Sequence, residues 1–329
     1  MEPTPTRRLP ALARHLGLGA LSLKDETARF GLNAFKLLGG RFAIETLLAD
    51  GTIRRGGMLV CASEGNHGRA VARAAREAGC ASRVYMAHDA AASRVDAIAG
   101  EGAEVIRVQG SYDDAVRIMR RDAAVHGWVI VSDTSWDGYE RIPRLIMLGY
   151  TRMIDEVDAE FDIVLVQGGV GGLLCGVASA CAFRCPQRRP TVVCVEPASA
   201  ACLLASALAG RAVTVEGSLQ THMAGLRNRE VSPLAFAAVQ PLVDAYLAID
   251  DRWADDAMRR LAHPLDTDPR VAAGASGAAA LGGLLALCGD PALSAVRPDL
   301  GLDDAARVLV IVSEGVTDQA LWDAIVARP

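Results

Sequence analysis

Lysine is almost absent from this chain of 329 residues. Only Lys24 and Lys36 are lysine among 34 basic residues, and both lie in one stretch, KDETARFGLNAFKLLGG (Lys24 to Gly40). Aromatic residues are scarce as well, at 5%, and the net charge is −5. That balance, with no alternation of basic and aromatic residues, excludes the footprint of a nucleic-acid-binding protein. The opening MEPTPTRRLPALARHLG has no apolar run suited to a signal peptide, so a cytoplasmic location is expected. Long hydrophobic runs are few. Two uncharged stretches, Ile163 to Phe183 and Val271 to Gly289, are long enough to span a membrane. The first is β-branched and broken by QGGVGG, and the second is mostly Ala and Gly. A buried strand-loop-helix and a buried helix are expected instead, and no membrane partner.

Eight cysteines occur at irregular spacings among Ala, Val and Leu, five of them between Cys175 and Cys202. This is the pattern of reduced, buried thiols. Cys181 and Cys185 form one C-x3-C with no partner pair and no nearby histidine, so no metal site is expected.

What is plentiful is apolar material, 51% of residues against 22% charged, enough for sizeable cores and about two domains. From Met58 onward, short β-rich runs alternate with helical patterns. MLVCA precedes NHGRAVARAAREAG, RVYMA precedes AASRVDAIAGEG, EVIRV precedes SYDDAVRIMRRDAAVH, and WVIV precedes RIPRLIMLGYTRMIDEV. A second series runs through DIVLVQ, TVVCVEP, DAYLAID and RVLVIVSEG. Such repeats predict an α/β fold of doubly wound, mostly parallel sheets, with a ligand near the carboxyl ends of the strands.

The rarity of lysine gives the two that remain a meaning. A guanidinium is always protonated, whereas an amine can be tuned by its surroundings into a nucleophile or base. Lys36 follows GLNAF and precedes LLGG, an apolar setting that favours the neutral amine. The plain alternative is two lysines surviving by chance under a skewed codon supply.

Four polar loops follow predicted strands. VLVQGGVGGLLCGVASA is a strand, a glycine turn (Gly168, Gly169, Val170, Gly171, Gly172) and a helix, the pattern of a phosphate cradle. A dinucleotide fingerprint on Gly169 and Gly171 would need glycine at position 174, which is Leu174. Glycines that merely permit a tight turn are the other reading. SEGNHGRA offers Ser63, Glu64 and Asn66 as anion ligand, acid-base carboxylate and ring-oxygen partner, or else as ordinary helix-capping residues. SDTSWDGYERIP carries Asp133, and SEGVTD carries Ser313.

Taken together, N-x-F-K at Lys36, S-x-G-N-H-G and G-G-x-G-G, in this order, resemble the fold-type II pyridoxal-phosphate enzymes, the tryptophan synthase β-like superfamily. KDETARFGLNAFKLLGG, SEGNHGR, SDTSWDGYERIP, IMLGY, QTHMAGL with EVSPLAF, and SEGVTD resemble its diaminopropionate ammonia-lyase subfamily, from about Leu23 to Asp318. The resemblance implies pyridoxal 5′-phosphate as cofactor and an ammonia-lyase acting by α,β-elimination on a small β-substituted amino acid, 2,3-diaminopropionate first. Lys36 would carry the cofactor and take the Cα proton. Phe35, Asn66, Gly168 to Gly172 and Ser313 would hold the cofactor, with Ser313 at the pyridine nitrogen. Glu64 would be a second base, Asp133 would hold or protonate the leaving amine, and Ser63 and Ser276 would join them around the substrate. A large cofactor-binding domain (1–42 and 150–329), a small α/β domain (43–149) and a homodimer are also implied.

The chain departs from the resembling lyases where Glu64 replaces Asp, where Ala275 replaces Glu, and at Val316. His67, a lone loop histidine, is assigned no proton-transfer role. Three other readings stand beside the first: a hydroxy-amino-acid dehydratase or β-replacement enzyme of the same superfamily, a cofactor-binding module without turnover, and an NAD-dependent oxidoreductase, which Leu174 weakens.

Overall fold

The structure, a computed structural model, describes residues 2–63, 65–184 and 186–327, so Glu64 lies outside the described residues. Along the chain come β1 (Thr6–Arg8), α1 (Pro10–Leu16), β2 (Ala20–Asp25), α2 (Leu37–Ala49), β3 (Met58–Ala62), α3 (Asn66–Glu77) and β4 (Ala81–Ala87). Next are α4 (Ala92–Ala99), β5 (Glu104–Val108), α5 (Tyr112–His126), β6 (Val129–Ile130) and α6 (Arg141–Asp155). Then follow β7 (Ile163–Gln167), α7 (Gly172–Arg184), β8 (Thr191–Pro197), α8 (Cys202–Ala209), α9 (Pro233–Val239) and β9 (Ala245–Ile249). The chain ends with α10 (Asp251–Ala262), α11 (Ala275–Gly289), α12 (Val296–Asp299), β10 (Arg307–Val312) and α13 (Gln319–Val326). The chain divides into two compact units, Met1–Phe35 with Thr151–Pro329, and Lys36–Tyr150.

The smaller unit carries a four-stranded sheet in the order β5-β4-β3-β6. All its pairs are parallel, as βα repeats require. One face is packed by α5, whose Ala115, Met119 and Ala123 meet Val60, Tyr85 and Val108. A capping box, in which Ser111 and Asp114 satisfy each other's backbone amides, fixes where that helix starts. The WVIV run yields only the two-residue β6. Two carbonyls at its end are taken by side chains: the Tyr139 hydroxyl donates to Ile130 O (2.8 Å), and the His67 ring bonds Val131 O (2.9 Å). Those bonds turn the chain out of the sheet and into the Asp133 loop.

The glycines of LLGG and LGY mark the crossing of α2 and α6. A Cβ on Gly149 would stand 2.6 Å from Leu38 O and 2.7 Å from Gly39 Cα. A Cβ on Gly39 would stand 2.6 Å from Ile146 O. Only hydrogen fits at either position, and the close crossing fixes the start of α2 directly after Lys36.

The larger unit holds a six-stranded sheet in the order β1-β2-β10-β7-β8-β9, parallel except for β1 at the edge. Strand β10 lies between β2 and β7, with Leu309 opposite both Ser22 and Val164. The run Val271 to Gly289 contains the buried helix α11, packed with Leu165, Val193 and Val310 in one core. Its glycines give close approach, since a Cβ on Gly282 would lie 2.8 Å from Trp253 O and one on Gly283 2.6 Å from Val195 Cγ2. Among the described residues, no helix is long and apolar enough to cross a membrane.

Lys24 is a core residue. Its Nζ is sealed from solvent, 2.8 Å from Glu156 Oε2 and 2.6 Å from the Thr4 carbonyl. Arg29, also buried, bonds both Glu26 and Glu156. Burial would raise the Glu156 carboxyl, but its bonds to Arg29 and Lys24 prevail and bring it down to about 2. The second lysine is therefore explained by a buried ion network.

Candidate active site

Within the smaller unit, Lys36 Nζ lies 2.6 Å from Asp133 Oδ2, both side chains partly buried. The amine therefore faces a carboxylate, where the flanking GLNAF predicts apolar surroundings, because the partner comes from a loop 97 residues away. His67, on the first turn of α3, places Nδ1 3.6 Å from the same Oδ2. Burial alone would raise the Asp133 carboxyl. The His67 ring and the Lys36 ammonium outweigh it and hold Asp133 well below the usual carboxylate range. Beside the amine, Tyr150 is fully buried, and burial pushes its phenol up.

The Asp133 loop is built to hold position. Trp136 and Tyr139 stack with centroids 3.9 Å apart, and the Arg120 guanidinium lies 3.8 Å over the Trp136 ring. The Tyr139 hydroxyl accepts from the Ser132 amide (2.9 Å). In the S-x-G-N-H-G loop, Ser63 Oγ accepts from the amides of Gly65 (3.3 Å) and Gly68 (3.0 Å), the helix-capping role that its sequence position allows. Asn66 is the first residue of α3.

Within the larger unit, the glycine loop leaves β7 and runs into α7. Gly169 and Gly171 have φ of 59° and 98°, a region that favours glycine. At Gly168 a Cβ would meet Glu196 Cγ at 2.7 Å and Leu203 Cδ1 at 3.0 Å. The Val170 carbonyl accepts from Ser232 N (2.9 Å). The first-turn amides of α7 have no intrahelical acceptor, which is what an anion at Gly168 to Gly172 needs.

Beneath the loop, Glu196 accepts from the amides of Leu203 (3.0 Å) and Leu204 (2.8 Å). Burial pushes its carboxyl up to about 7 against those bonds. Gln167 donates to the carbonyls of Ile311 (2.9 Å) and Gly277 (2.8 Å), tying β7 to β10 and α11.

Ser313 follows β10, the neighbour of β7, and is buried. Its carbonyl accepts from Phe35 N (3.2 Å), and Gly315 N donates to Asn33 O (2.8 Å). The residues just before Lys36 are thus fastened to the Ser313 loop. Ser276 is buried at the start of α11, and its Oγ accepts from Gly225 N (2.9 Å) in the MAGL turn.

The sequence alone gave His67 no proton-transfer role and did not single out Tyr150, Gln167 or Glu196. Glu196 had a readable signal, a carboxylate inside the apolar strand TVVCVEP. Among the described residues no His/Cys/Asp/Glu cluster could hold a metal ion.

These residues suit the cofactor that the resemblance implies. Lys36 offers an amine oriented by a carboxylate, and Gly168 to Gly172 offer a turn whose side chains are excluded sterically and whose helix presents amides to a phosphate. Comparison with known proteins agrees. The diaminopropionate ammonia-lyase of Escherichia coli (strain K12) is 38% identical over 350 residues, covering 98% of this chain and 88% of the relative. The crystal structure of the selenomethionine-incorporated holo form of the E. coli lyase has a TM-score of 0.92 at 36% identity, covering 99% of this chain and 88% of that one. The same lyase in complex with an aminoacrylate-PLP azomethine reaction intermediate has a TM-score of 0.91 at 36% identity, with the same coverage. The profile of the family described as pyridoxal-phosphate dependent enzyme matches residues 1–313, and the chain belongs to that family.

Proposed function

We propose that the protein is a pyridoxal-phosphate-dependent ammonia-lyase that converts 2,3-diaminopropionate to pyruvate and ammonia by α,β-elimination. The observation that carries this reading is the pair of Lys36 Nζ and Asp133 Oδ2, 2.6 Å apart, with Asp133 held ionised. When bound, the cofactor supplies an electron sink for the charge left at Cα.

The chain's own residues do the rest. Lys36 would hold the cofactor through its amine and would take the substrate's Cα proton at Nζ. Gly168 to Gly172 would hold the phosphate through backbone amides, Asn66 would contact the ring hydroxyl with Phe35 also at the cofactor, and Ser313 would face the pyridine nitrogen as a neutral partner. Asp133, anionic at neutral pH, binds the substrate's β-ammonium and keeps it protonated, so that it leaves as ammonia. Water then converts the released enamine to pyruvate and a second ammonia. A hydroxy-amino acid lacks the β-charge that Asp133 matches, which ranks serine-type substrates second. Ser63 and Ser276 support the substrate side, and Glu64 is proposed as the second base.

The larger unit is proposed as the cofactor-binding domain. A homodimer in the cytoplasm is the proposed working state, consistent with seven unbridged cysteines among the described residues.

The test is the visible spectrum of purified protein and of Lys36→Ala, before and after addition of diaminopropionate. A cofactor band that depends on Lys36 and shifts as pyruvate appears supports the reading. A band without pyruvate from diaminopropionate rejects this substrate, and no band after incubation with pyridoxal phosphate rejects the assignment of Lys36.

A further inference from the structure

A cleft of about 1480 Å³ opens on the larger unit between the C-terminal end of α1, α10, the C-terminal half of α11, and α13. None of its lining residues belongs to the candidate active site. Ser276 and Cys288 sit at opposite ends of helix α11, about 18 Å apart along its axis at 1.5 Å per residue. The cleft lies at the Cys288 end, near the start of β2, whereas the glycine loop and Ser313 follow strand ends.

Its charge is out of keeping with the rest of the chain. Five arginines and two aspartates line it, a local surplus of three positive charges on a chain of net charge −5. Both aspartates are engaged: Asp256 with Arg259 at 2.5 Å, and Asp323 with Gln319 Nε2 at 2.7 Å. Among the described residues, the only ion-pair partner of Arg14 is the exposed Asp266, at 3.4 Å. Arg260, Arg270 and Arg297 have no ion-pair partner among the described residues.

Two donors in residues of the cleft wall, Arg297 Nε and Trp322 Nε1, are buried with no acceptor among the described residues. A buried donor without an acceptor is unfavourable until one is supplied. Trp253, Leu285 and Val326 give the same cleft apolar, partly aromatic walls. A concave site lined by cations without an ion-pair partner among the described residues, with spare donors and indole surface, is suited to a ligand that is anionic at one end and planar at the other.

We propose that this cleft binds a small anionic ligand, a phosphate or carboxylate carried on a planar ring. Arg260, Arg270 and Arg297 take its charge, and Trp253 and Trp322 take its ring. The site is separate from the cofactor loops and does not depend on the substrate assigned above.

The test uses the holoenzyme, loaded with pyridoxal phosphate and freed of excess cofactor by gel filtration, in calorimetric and tryptophan-fluorescence titrations. The probes are adenosine monophosphate and benzoate, which carry both features, with adenosine and inorganic phosphate as single-feature controls. At least one two-feature probe is expected to saturate below about 1 mM and to bind at least about tenfold more tightly than either control. Arg260→Gln/Arg297→Gln, and separately the exposed Arg270→Gln, are expected to weaken it by about tenfold or more with lyase activity unchanged. Trp322→Phe removes most of the fluorescence response.

Absence of saturable binding overturns the proposal, as does affinity unchanged in the arginine variants or inorganic phosphate binding as tightly as the ring-bearing probes. A ligand-independent dimer that the arginine variants dissociate also overturns it, because a second copy would then fill the cleft.

Discussion

Replacing Asp133 with Asn keeps the volume of the side chain and removes its charge. The carboxylate lost lies 2.6 Å from Lys36 Nζ and 3.6 Å from His67 Nδ1. Under the proposed mechanism it holds the substrate's β-ammonium through a charge-assisted hydrogen bond, a contact worth about 1.5–3 kcal/mol. Converted at 1.36 kcal/mol per decade, that is a loss of about 10- to 150-fold in kcat/KM for diaminopropionate. Serine presents a neutral hydroxyl at the same position, so its kcat/KM falls less. The ratio of the two substrates therefore drops by most of that factor. Pyruvate formation from each substrate, followed under matched cofactor saturation, measures the ratio. Equal losses on both substrates would refute the reasoning, since Asp133 would then act only through Lys36 and not on the leaving group.

Glu156→Gln tests the buried network. With Glu156 at about 2 when folded against an ordinary 4.5, its charge contributes about 3 kcal/mol at neutral pH by linkage. A lowered carboxylate stabilises above its unfolded value and loses that contribution as pH falls. The stability gap between wild type and variant in urea should thus be flat from about pH 7 to 5.5 and narrow to about 2 kcal/mol near pH 3.5. Gly168→Ala places a Cβ 2.7 Å from Glu196 Cγ, and overpacking should cost about 1–3 kcal/mol and weaken cofactor retention in equilibrium dialysis. Gly149→Ala meets backbone, Leu38 O at 2.6 Å, so α2 must shift away from α6. A displacement of Lys36 by about an ångström would cut kcat about 100-fold, with retention of the cofactor phosphate little changed.

The sites of these predictions differ in how far they are local. Gly169 and Gly171 take backbone conformations that favour glycine, so the amino acids themselves announce the tight turn. Asp133 reaches Lys36 only because Tyr139 and His67 take the carbonyls at the end of β6 and redirect the chain. In the same way, Ser276 reads as a polar residue at a helix start, yet its hydroxyl is committed to the amide of Gly225, 51 residues away.

What the sequence determined by itself is whatever depends on near neighbours. The alternation of β-branched runs with amphipathic helices gave the parallel α/β architecture, the Ala- and Gly-rich run a buried helix, and the glycine turn its tight passage from strand to helix. The singular chemistry of an amine in an arginine-rich chain brought Lys36 forward. The flanking GLNAF and the N-x-F-K pattern set Lys36 apart, and the tertiary structure decided what each amine meets. Lys24 is enclosed with Glu156, 132 residues distant, while Lys36 meets Asp133 in a partly open site. Burial and charge pairing act through space, so no local pattern encodes which amine is sealed in a core and which meets its carboxylate in a partly open site.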